Sequence, residues 1–248
     1  PIELLQAYAP IANGGRSVPL WAVKRIYNDK GKLIWERKPR SRQVLDPRLA
    51  YLITSVLKGT LHPGGTAAVA GNSLRHQAAG KTGTTQDNRD AWFVGYTPQL
   101  AAIVYIGDDQ NKPLPAGGGS LAAPIWVNFL NQALADTPAQ QFLIPEGIIS
   151  RKICRETGLL ATPECPGLNE YFLFGREPTV YCAKHRRIKL RVCTKSGLLP
   201  NPNCREVEEQ EFTWEKHPNT TCEECQAPRN LWEYFFGKPF PLFKPKDD

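Results

Sequence analysis

The C-terminal part of the chain contains an internal repeat, and each copy carries three cysteines. Residues 153–165, with cysteines at positions 154 and 165, recur as residues 192–204, with cysteines at positions 193 and 204. A period near 40 residues indicates two copies of one small module. Each copy has too few large apolar residues for an independent core, so we expect cross-links to hold each module together. The later landmarks Phe172, Phe174, Pro178 and Cys182 recur as Phe212, Trp214, Pro218 and Cys222.

The seven cysteines form two sets of three and one addition, Cys225. For a protein outside the cytoplasm, disulfides are the leading interpretation. Metal binding is the alternative, but only Cys222-x-x-Cys225 has the spacing of metal ligands, and a zinc site needs two such pairs or added histidines. We therefore expect no metal site and no cofactor. The disulfides predicted from the matched turns are Cys154 with Cys165 and Cys193 with Cys204.

The histidines and the densest basic segment suggest no binding site of their own. None of the four histidines forms a pair with the spacing of a helical metal site, and we predict that all are surface or loop residues. Residues 184–191 are strongly basic and lie between the two repeats, where a solvated linker is expected. The histidines are His62, His76, His185 and His217.

The first 137 residues carry the patterns of an α+β fold. Apolar residues at helical spacing and the pair Asp46-Pro47, an N-cap followed by proline at the first helical position, predict helices. Alternating apolar runs bounded by turn residues predict strands. Strands joined by short turns and flanked by helices predict an antiparallel sheet with helices packed on it. The predicted helices cover residues 2–12, 47–59 and 120–135, a hairpin covers 20–37, and three strands cover 77–85, 91–96 and 100–107.

The sequence Lys81-Thr82-Gly83-Thr84-Thr85 lies in the first of these strands. A Lys-Thr-Gly motif accompanies Ser-x-x-Lys and Ser-x-Asn in active-site serine enzymes that recognise penicillin. With its flanks, notably residues 89–96 and 100–107, it resembles the transpeptidase domain of class A (bifunctional) penicillin-binding proteins. The resemblance covers about residues 1–137 and implies the second half of that domain.

The resemblance implies roles for the motif residues in acyl transfer at a terminal D-Ala-D-Ala amide. Lys81 is expected to supply a positive charge for the substrate carboxylate and for proton relay. Thr82, Gly83, Thr84 and Thr85 are expected to bind substrate, with the two hydroxyls at 82 and 84 on one face of the strand. The backbone amide of Thr84 is expected to be an oxyanion donor.

The chain also contains a match to Ser-x-x-Lys, but we do not expect its serine to be the nucleophile. Ser55-Val56-Leu57-Lys58 fits Ser-x-x-Lys, but it precedes Lys81 by only 26 residues, and the chain contains no Ser-x-Asn. In the family, the nucleophilic serine lies far upstream. We therefore expect the nucleophile to be absent from this chain, and the chain alone to be inactive.

Composition fits a fragment of a longer protein, and the resemblance implies that this protein is extracytoplasmic and tethered to the membrane. The chain has no methionine and a net charge of +7. No apolar run is long enough for a membrane span. We expect a basic surface, with attraction to anionic wall polymers or lipid headgroups as an alternative, and no nucleic-acid partner. The expected partners are peptidoglycan stem peptides, β-lactam antibiotics and the upstream part that carries Ser-x-x-Lys and Ser-x-Asn. The membrane is expected only through an N-terminal anchor that this chain lacks.

The predicted organisation has five parts. They are the transpeptidase half at 1–137, a linker at 138–150, cysteine repeats at 151–189 and 190–228, and an aromatic and basic tail at 229–248. Two alternative functions remain open. One is a serine β-lactamase or D,D-carboxypeptidase of the same fold, and the other is a non-catalytic cell-wall-binding module.

Overall fold

The computed structural model describes residues 1–38 and 40–226. The described chain divides into two compact units, the first formed by residues 1–151 with 170–177 and the second by residues 152–169 with 178–226. The first boundary between the units falls after residue 151, close to the predicted start of the first cysteine repeat and not at residue 137. The predicted tail at 229–248 lies outside the described residues. None of the described helices is long and apolar enough to cross a membrane.

Three helices of the first unit lie where the sequence patterns predict them, whereas a further helix of a single turn was not predicted. The second begins after Asp46, whose carboxylate accepts a hydrogen bond of 2.8 Å from the amide of Arg48 and so satisfies one of the free N–H groups of the first turn. A glycine, Gly59, follows its last residue. The helices are α1 (Ile2–Ala12), α2 (Pro47–Lys58), the single turn α3 (Ala68–Gly71) and α4 (Ala122–Ala133).

Two antiparallel sheets belong to this unit, and both were predicted. Strands β1 (Arg25–Tyr27) and β2 (Leu33–Glu36) form a hairpin. Strands β3 (Ala79–Thr84), β4 (Asp90–Tyr96) and β5 (Ala101–Gly107) form a three-stranded sheet in the order β3-β4-β5. The short turns between successive strands give this simple antiparallel order.

The core of the first unit lies between α4 and the three-stranded sheet. Trp126 is fully buried, its ring centroid is 5.0 Å from that of Phe93, and its indole N–H donates to the carbonyl of Ala102 at 3.0 Å. The apolar residues of α4 recur every three or four positions, which places them on one face of the helix. The buried residues of α4 are Ala122, Ala123, Trp126, Val127 and Leu130.

The segment predicted as a linker packs against the first unit. The amide of Phe142 donates to the side-chain oxygen of Gln77 at 2.9 Å, and its ring meets that of Tyr96 edge-on at 5.7 Å. Strand β6 (Ile148–Cys154) then begins inside the same segment. The predicted linker at 138–150 is thus held to the first unit by contacts with residues that are distant in sequence.

The remaining strands form two hairpins. Strand β6 pairs with β7 (Gly167–Leu173), and β8 (Arg187–Cys193) pairs antiparallel with β9 (Val207–Thr213). The basic segment at 184–191 is therefore largely a strand and not a solvated linker. The basic residues are compatible with a strand because they pair with acidic residues of β9. Arg187 lies 3.0 Å from Glu211, and Lys189 lies 3.5 Å from Glu209.

Candidate functional site

Strand β3 carries the Lys-Thr-Gly motif at one edge of the three-stranded sheet. Lys81 pairs with Val94 of β4, and Gly83 pairs with Trp92. The Lys81 side chain is exposed, and its ammonium group donates to the carbonyl of Thr82 at 2.8 Å. The position therefore presents a solvent-accessible cation beside the strand.

The two threonine hydroxyls of the strand each have a partner from another part of the fold. The hydroxyl oxygen of Thr82 lies 2.9 Å from that of Thr66. The hydroxyl oxygen of Thr84 accepts a hydrogen bond of 3.1 Å from the amide of Gly118. Because Thr82 and Thr84 are two residues apart in a strand, their side chains lie on one face.

Three consecutive glycines, residues 117–119, lie against that face. A Cβ atom on Gly117 would lie 2.6 Å from the hydroxyl oxygen of Thr84, which is closer than real Cβ atoms approach. A Cβ atom on Gly119 would lie 3.6 Å from the methyl group of Thr82. The lack of side chains at 117–119 thus permits this loop to lie directly on the motif strand.

Thr85 lies just beyond the strand and takes part in a turn. Its hydroxyl oxygen accepts a hydrogen bond of 2.8 Å from the amide of Asp90, and its own amide donates to the carbonyl of Asp90 at 3.2 Å. The turn includes Asp87 and Asn88, both with positive φ. These bonds fix the connection between β3 and β4, so the end of the motif strand is held in place.

A protein-family model matches the part of the chain that contains this motif strand. The model described as "Penicillin binding protein transpeptidase domain" matches residues 1–131, which is more than half of the chain. The chain belongs to the penicillin-binding protein transpeptidase family. A second model, "Penicillin-binding protein 1A, C-terminal domain", matches residues 144–187. This penicillin-binding protein fragment thus continues from a transpeptidase region into a C-terminal region that includes the first cysteine repeat.

Two curated proteins and one solved structure that resemble this chain are also penicillin-binding proteins. Penicillin-binding protein 1A of Neisseria lactamica is 36% identical over 157 residues, covering 60% of this chain and 20% of that protein. Penicillin-binding protein 2D of Bacillus subtilis is 34% identical over 190 residues, covering 73% of this chain and 27% of that protein. The crystal structure of penicillin-binding protein 1A from Haemophilus influenzae aligns with a TM-score of 0.67 at 27% identity, covering 73% of this chain and 33% of that one. The penicillin-binding protein fragment therefore spans about a fifth to a quarter of the curated relatives' length.

Ser55 lies in α2 and is partly buried. Its hydroxyl donates to the carbonyl of Leu52, one turn earlier, at 2.8 Å. A serine that bonds back to its own helix is a common structural arrangement.

The cysteines of this penicillin-binding protein fragment are free thiols in the structure, and the predicted disulfides are not formed. Cys154 with Cys165 and Cys193 with Cys204 are nevertheless close in space, because each pair belongs to a compact cluster. In each cluster four side chains place their sulfur or ring nitrogen atoms within 4.8 Å of one another. The first cluster is Cys154, Cys165, Cys182 and His185, and the second is Cys193, Cys204, Cys222 and Cys225. No metal site was predicted from the sequence, so these two groups of potential metal ligands were not expected.

The environment of the clusters shifts the pKa of several thiols. Burial would raise the pKa of Cys182, but hydrogen bonds from Thr157 and His185 outweigh it and lower the pKa to about 6. The amide of Ser196 donates to Cys193 and, with that of Lys195, lowers the Cys193 pKa to about 6 against the effect of burial. Each repeat therefore favours a thiolate, at its third cysteine in the first repeat and at its first cysteine in the second.

His76 and His185 both lie in loops, within the prediction of surface or loop positions, but neither is a simple surface residue. His185 is one member of the first cluster. His76 is buried, with 8% of its surface exposed. The signal for His185 was in the sequence, because Cys182-x-x-His185 has the same spacing as Cys222-x-x-Cys225. His76 stands between the polar residues Arg75 and Gln77, and no pattern there predicts its burial.

Proposed function

We propose that this chain forms one wall of the active site of a peptidoglycan D,D-transpeptidase, which cross-links stem peptides through a serine acyl-enzyme. The observation that carries the proposal is the motif strand β3, in a chain of the penicillin-binding protein transpeptidase family. The strand lies at the edge of its sheet, with the Lys81 ammonium group exposed beside it. A substrate peptide could extend along such an edge.

The geometry supports a carboxylate clamp. The Lys81 ammonium group supplies a positive charge, and the Thr82 and Thr84 hydroxyls lie on one face of the strand. Because the Thr84 oxygen accepts its hydrogen bond from Gly118, its own hydroxyl proton stays available for donation to a carboxylate oxygen. Gly83 has no side chain to obstruct a substrate backbone, and the Thr84 amide is the proposed oxyanion donor.

The nucleophile of the proposed reaction lies outside the 248 residues. The hydroxyl of Ser55 is bonded within its own helix, and no Ser-x-Asn accompanies it. The partners in this proposal are an upstream part with the serine and its lysine, the D-Ala-D-Ala stem peptide and β-lactams that mimic it. The reaction takes place outside the cytoplasm, in a protein tethered to the membrane.

Labelling by a fluorescent penicillin tests the proposed carboxylate clamp directly. In a full-length protein that contains this chain, Lys81→Ala should slow acylation by about 100-fold or more, as loss of a transition-state contact does. Lys58→Ala removes the same charge at the end of α2 and should label at the normal rate. Normal labelling of a folded Lys81→Ala protein would contradict the clamp.

Two further measurements locate the nucleophile. Ser55→Ala in the full-length protein should label normally, and the isolated chain should not label at all. Loss of labelling in a folded Ser55→Ala protein, or covalent labelling of the chain alone, would place the nucleophile within these 248 residues. Addition of the upstream part to the isolated chain should restore labelling if the two halves assemble.

A further inference from the structure

The two clusters occupy equivalent positions in the two repeats. Cys193 follows Cys154 and Cys204 follows Cys165 by 39 residues, whereas Cys222 follows Cys182 by 40 residues. The fourth members obey the same rule, since Cys225 follows His185 by 40 residues. The odd count of cysteines is thereby explained, because histidine stands in the first repeat where the second has its additional cysteine.

The distances between ligand atoms within each cluster suit coordination of one metal ion. The sulfur atoms of Cys193 and Cys225 lie 3.6 Å apart, and the Nδ1 atom of His185 lies 3.5 Å from the sulfur of Cys154 and 3.4 Å from that of Cys182. A disulfide bond would require about 2.05 Å between sulfurs. Four ligands placed tetrahedrally around zinc lie about 3.8 Å apart for two sulfurs and about 3.6 Å apart for sulfur and nitrogen, given their bond lengths to zinc.

The ring of His185 is oriented for coordination. Its Nδ1 atom faces the cysteine sulfurs, while its Nε2 atom lies 3.4 Å from a carboxylate oxygen of Glu156. A carboxylate in this position accepts a hydrogen bond from the Nε2–H group, so the Nδ1 lone pair is free for a metal. Lys184 lies 2.8 Å from the other oxygen of Glu156 and stabilises the ionised carboxylate.

Both repeats also build the same backbone turn after their first cysteine. The amide of Gly158 donates to the carbonyl of Cys154 at 2.8 Å, and the amide of Gly197 donates to that of Cys193 at 2.8 Å. Each glycine has φ of +70°, a conformation that other residues rarely adopt. The same turn in both copies directs the first cysteine of each repeat toward the other three members of its cluster.

The second cysteine of each repeat receives a matching backbone hydrogen bond. The amide of Thr162 lies 3.3 Å from the sulfur of Cys165, and the amide of Asn201 lies 3.4 Å from the sulfur of Cys204. The side chain of Asn201 further donates to the carbonyls of Cys222 and Cys225, at 2.6 and 2.8 Å. Donors aimed at sulfur stabilise thiolate, which is the form that binds metal.

We propose that each repeat binds one Zn²⁺ ion, in a three-cysteine, one-histidine site in the first repeat and a four-cysteine site in the second. Zinc fits both ligand sets, since thiolate and imidazole are its usual structural ligands and both sites supply four of them. With four protein ligands, neither site has an open position for a substrate, so the role is structural. The ions are the cross-links that modules with so few large apolar residues require.

Metal content and thiol state of the full chain test the proposal. Purified without added chelator, the chain should contain two zinc ions by elemental analysis, and its native mass should exceed its denatured mass by two zinc ions. In denaturant with a chelator, all seven thiols should react with a thiol reagent. A folded chain without zinc, whose denatured mass is lower by two hydrogens for each disulfide, would overturn the proposal. Iron instead of zinc would also overturn it.

Single variants in each repeat test whether the ions occupy these two clusters. His185→Ala and Cys225→Ser should each bind one zinc ion per chain, and the double variant none. His217→Ala removes a histidine of the same unit outside both clusters and should retain two ions. Cobalt exchanged into the chain should give the charge-transfer absorption of cobalt-thiolate bonds, weakened in both single variants. Two zinc ions retained by the double variant would place the metal elsewhere and overturn the assignment.

Discussion

The hydroxyl oxygen of Thr84 accepts a hydrogen bond from the amide of Gly118, 3.1 Å away and 34 residues further along the chain. The carbonyl of Gly118 in turn accepts hydrogen bonds from the amides of Ala122 and Ala123, in the first turn of α4. Gly118 therefore connects the motif strand to the helix that covers the sheet. The position of the proposed clamp depends on this contact as well as on the sheet.

Gly118→Ala should disturb the motif strand. A methyl group at this position would overlap the carbonyl oxygens of Trp92 and Gly83, and backbone atoms cannot rotate away as a side chain can. We expect a loss of about 1–3 kcal/mol in the free energy of unfolding, the usual cost of overpacking. Chemical denaturation followed by circular dichroism measures it.

Gly59→Ala is the matched control for this substitution. Gly59 has helical backbone angles, and a Cβ atom there would meet nothing within 4 Å. Its replacement should leave stability unchanged or raise it slightly. Equal effects of the two substitutions would show that the Gly118 contact has no special importance.

Trp126→Ala should cost more than any of the other substitutions considered for the first unit. The indole is fully buried against Phe93 and bonds to the carbonyl of Ala102, so its removal leaves a cavity and an unpaired acceptor. We expect a loss of about 3–5 kcal/mol in the free energy of unfolding. Trp35→Ala, in the exposed hairpin, should cost about 0.5 kcal/mol. A small effect at Trp126 would contradict its role as the centre of the core.

Stability at high pH should depend on Tyr96. Burial raises the pKa of Tyr96 to about 12, while its hydrogen bond to Thr54 acts in the opposite direction. In the unfolded chain the phenol ionises near pH 10, so the stability from the protonated phenol is complete below that pH and is lost as the pH rises toward 12.

Tyr96→Phe should therefore lose less stability than the parent chain between about pH 9 and pH 12. At neutral pH the variant should be less stable by about 1 kcal/mol, because one buried hydrogen bond is lost. Tyr27→Phe in the exposed hairpin controls for removal of a phenol. Parallel stability curves for Tyr96→Phe and the parent would show that the phenol titrates alike in both states.

The sequence predicted the sheet of the first unit well because local patterns determine it. Residues 91–96 and 100–107 were predicted as strands, and the structure has β4 at Asp90–Tyr96 and β5 at Ala101–Gly107. A turn with Pro98 separates them, so strand length and direction follow from nearby residues. The threonine spacing in β3 was predictable for the same reason, since side chains alternate along any strand.

The contacts that the sequence did not reveal join distant residues. Nothing near Phe142 indicates that it packs on Tyr96, and nothing near Thr84 indicates Gly118 as its partner. Each cluster joins residues of separate segments, so the spacing within any one motif does not reveal it. When the two repeats are aligned as far as the fourth cluster member, His185 matches Cys225. The approach of Cys165 to Cys182, in contrast, depends on how the chain folds.

The contact between Glu156 and His185 leads to the last prediction. If the carboxylate holds the imidazole for zinc, Glu156→Gln should weaken zinc binding in the first repeat by about 10–100-fold, the usual effect of losing such a hydrogen-bond partner. The measurement is best made with Cys225→Ser, where only the first site should bind, by competition with a chromophoric chelator. Glu215→Gln is the control, because Glu215 also contacts Lys184, at 3.2 Å, without being paired with His185. Equal affinities for the two variants would mean that Glu156 does not orient the ligand.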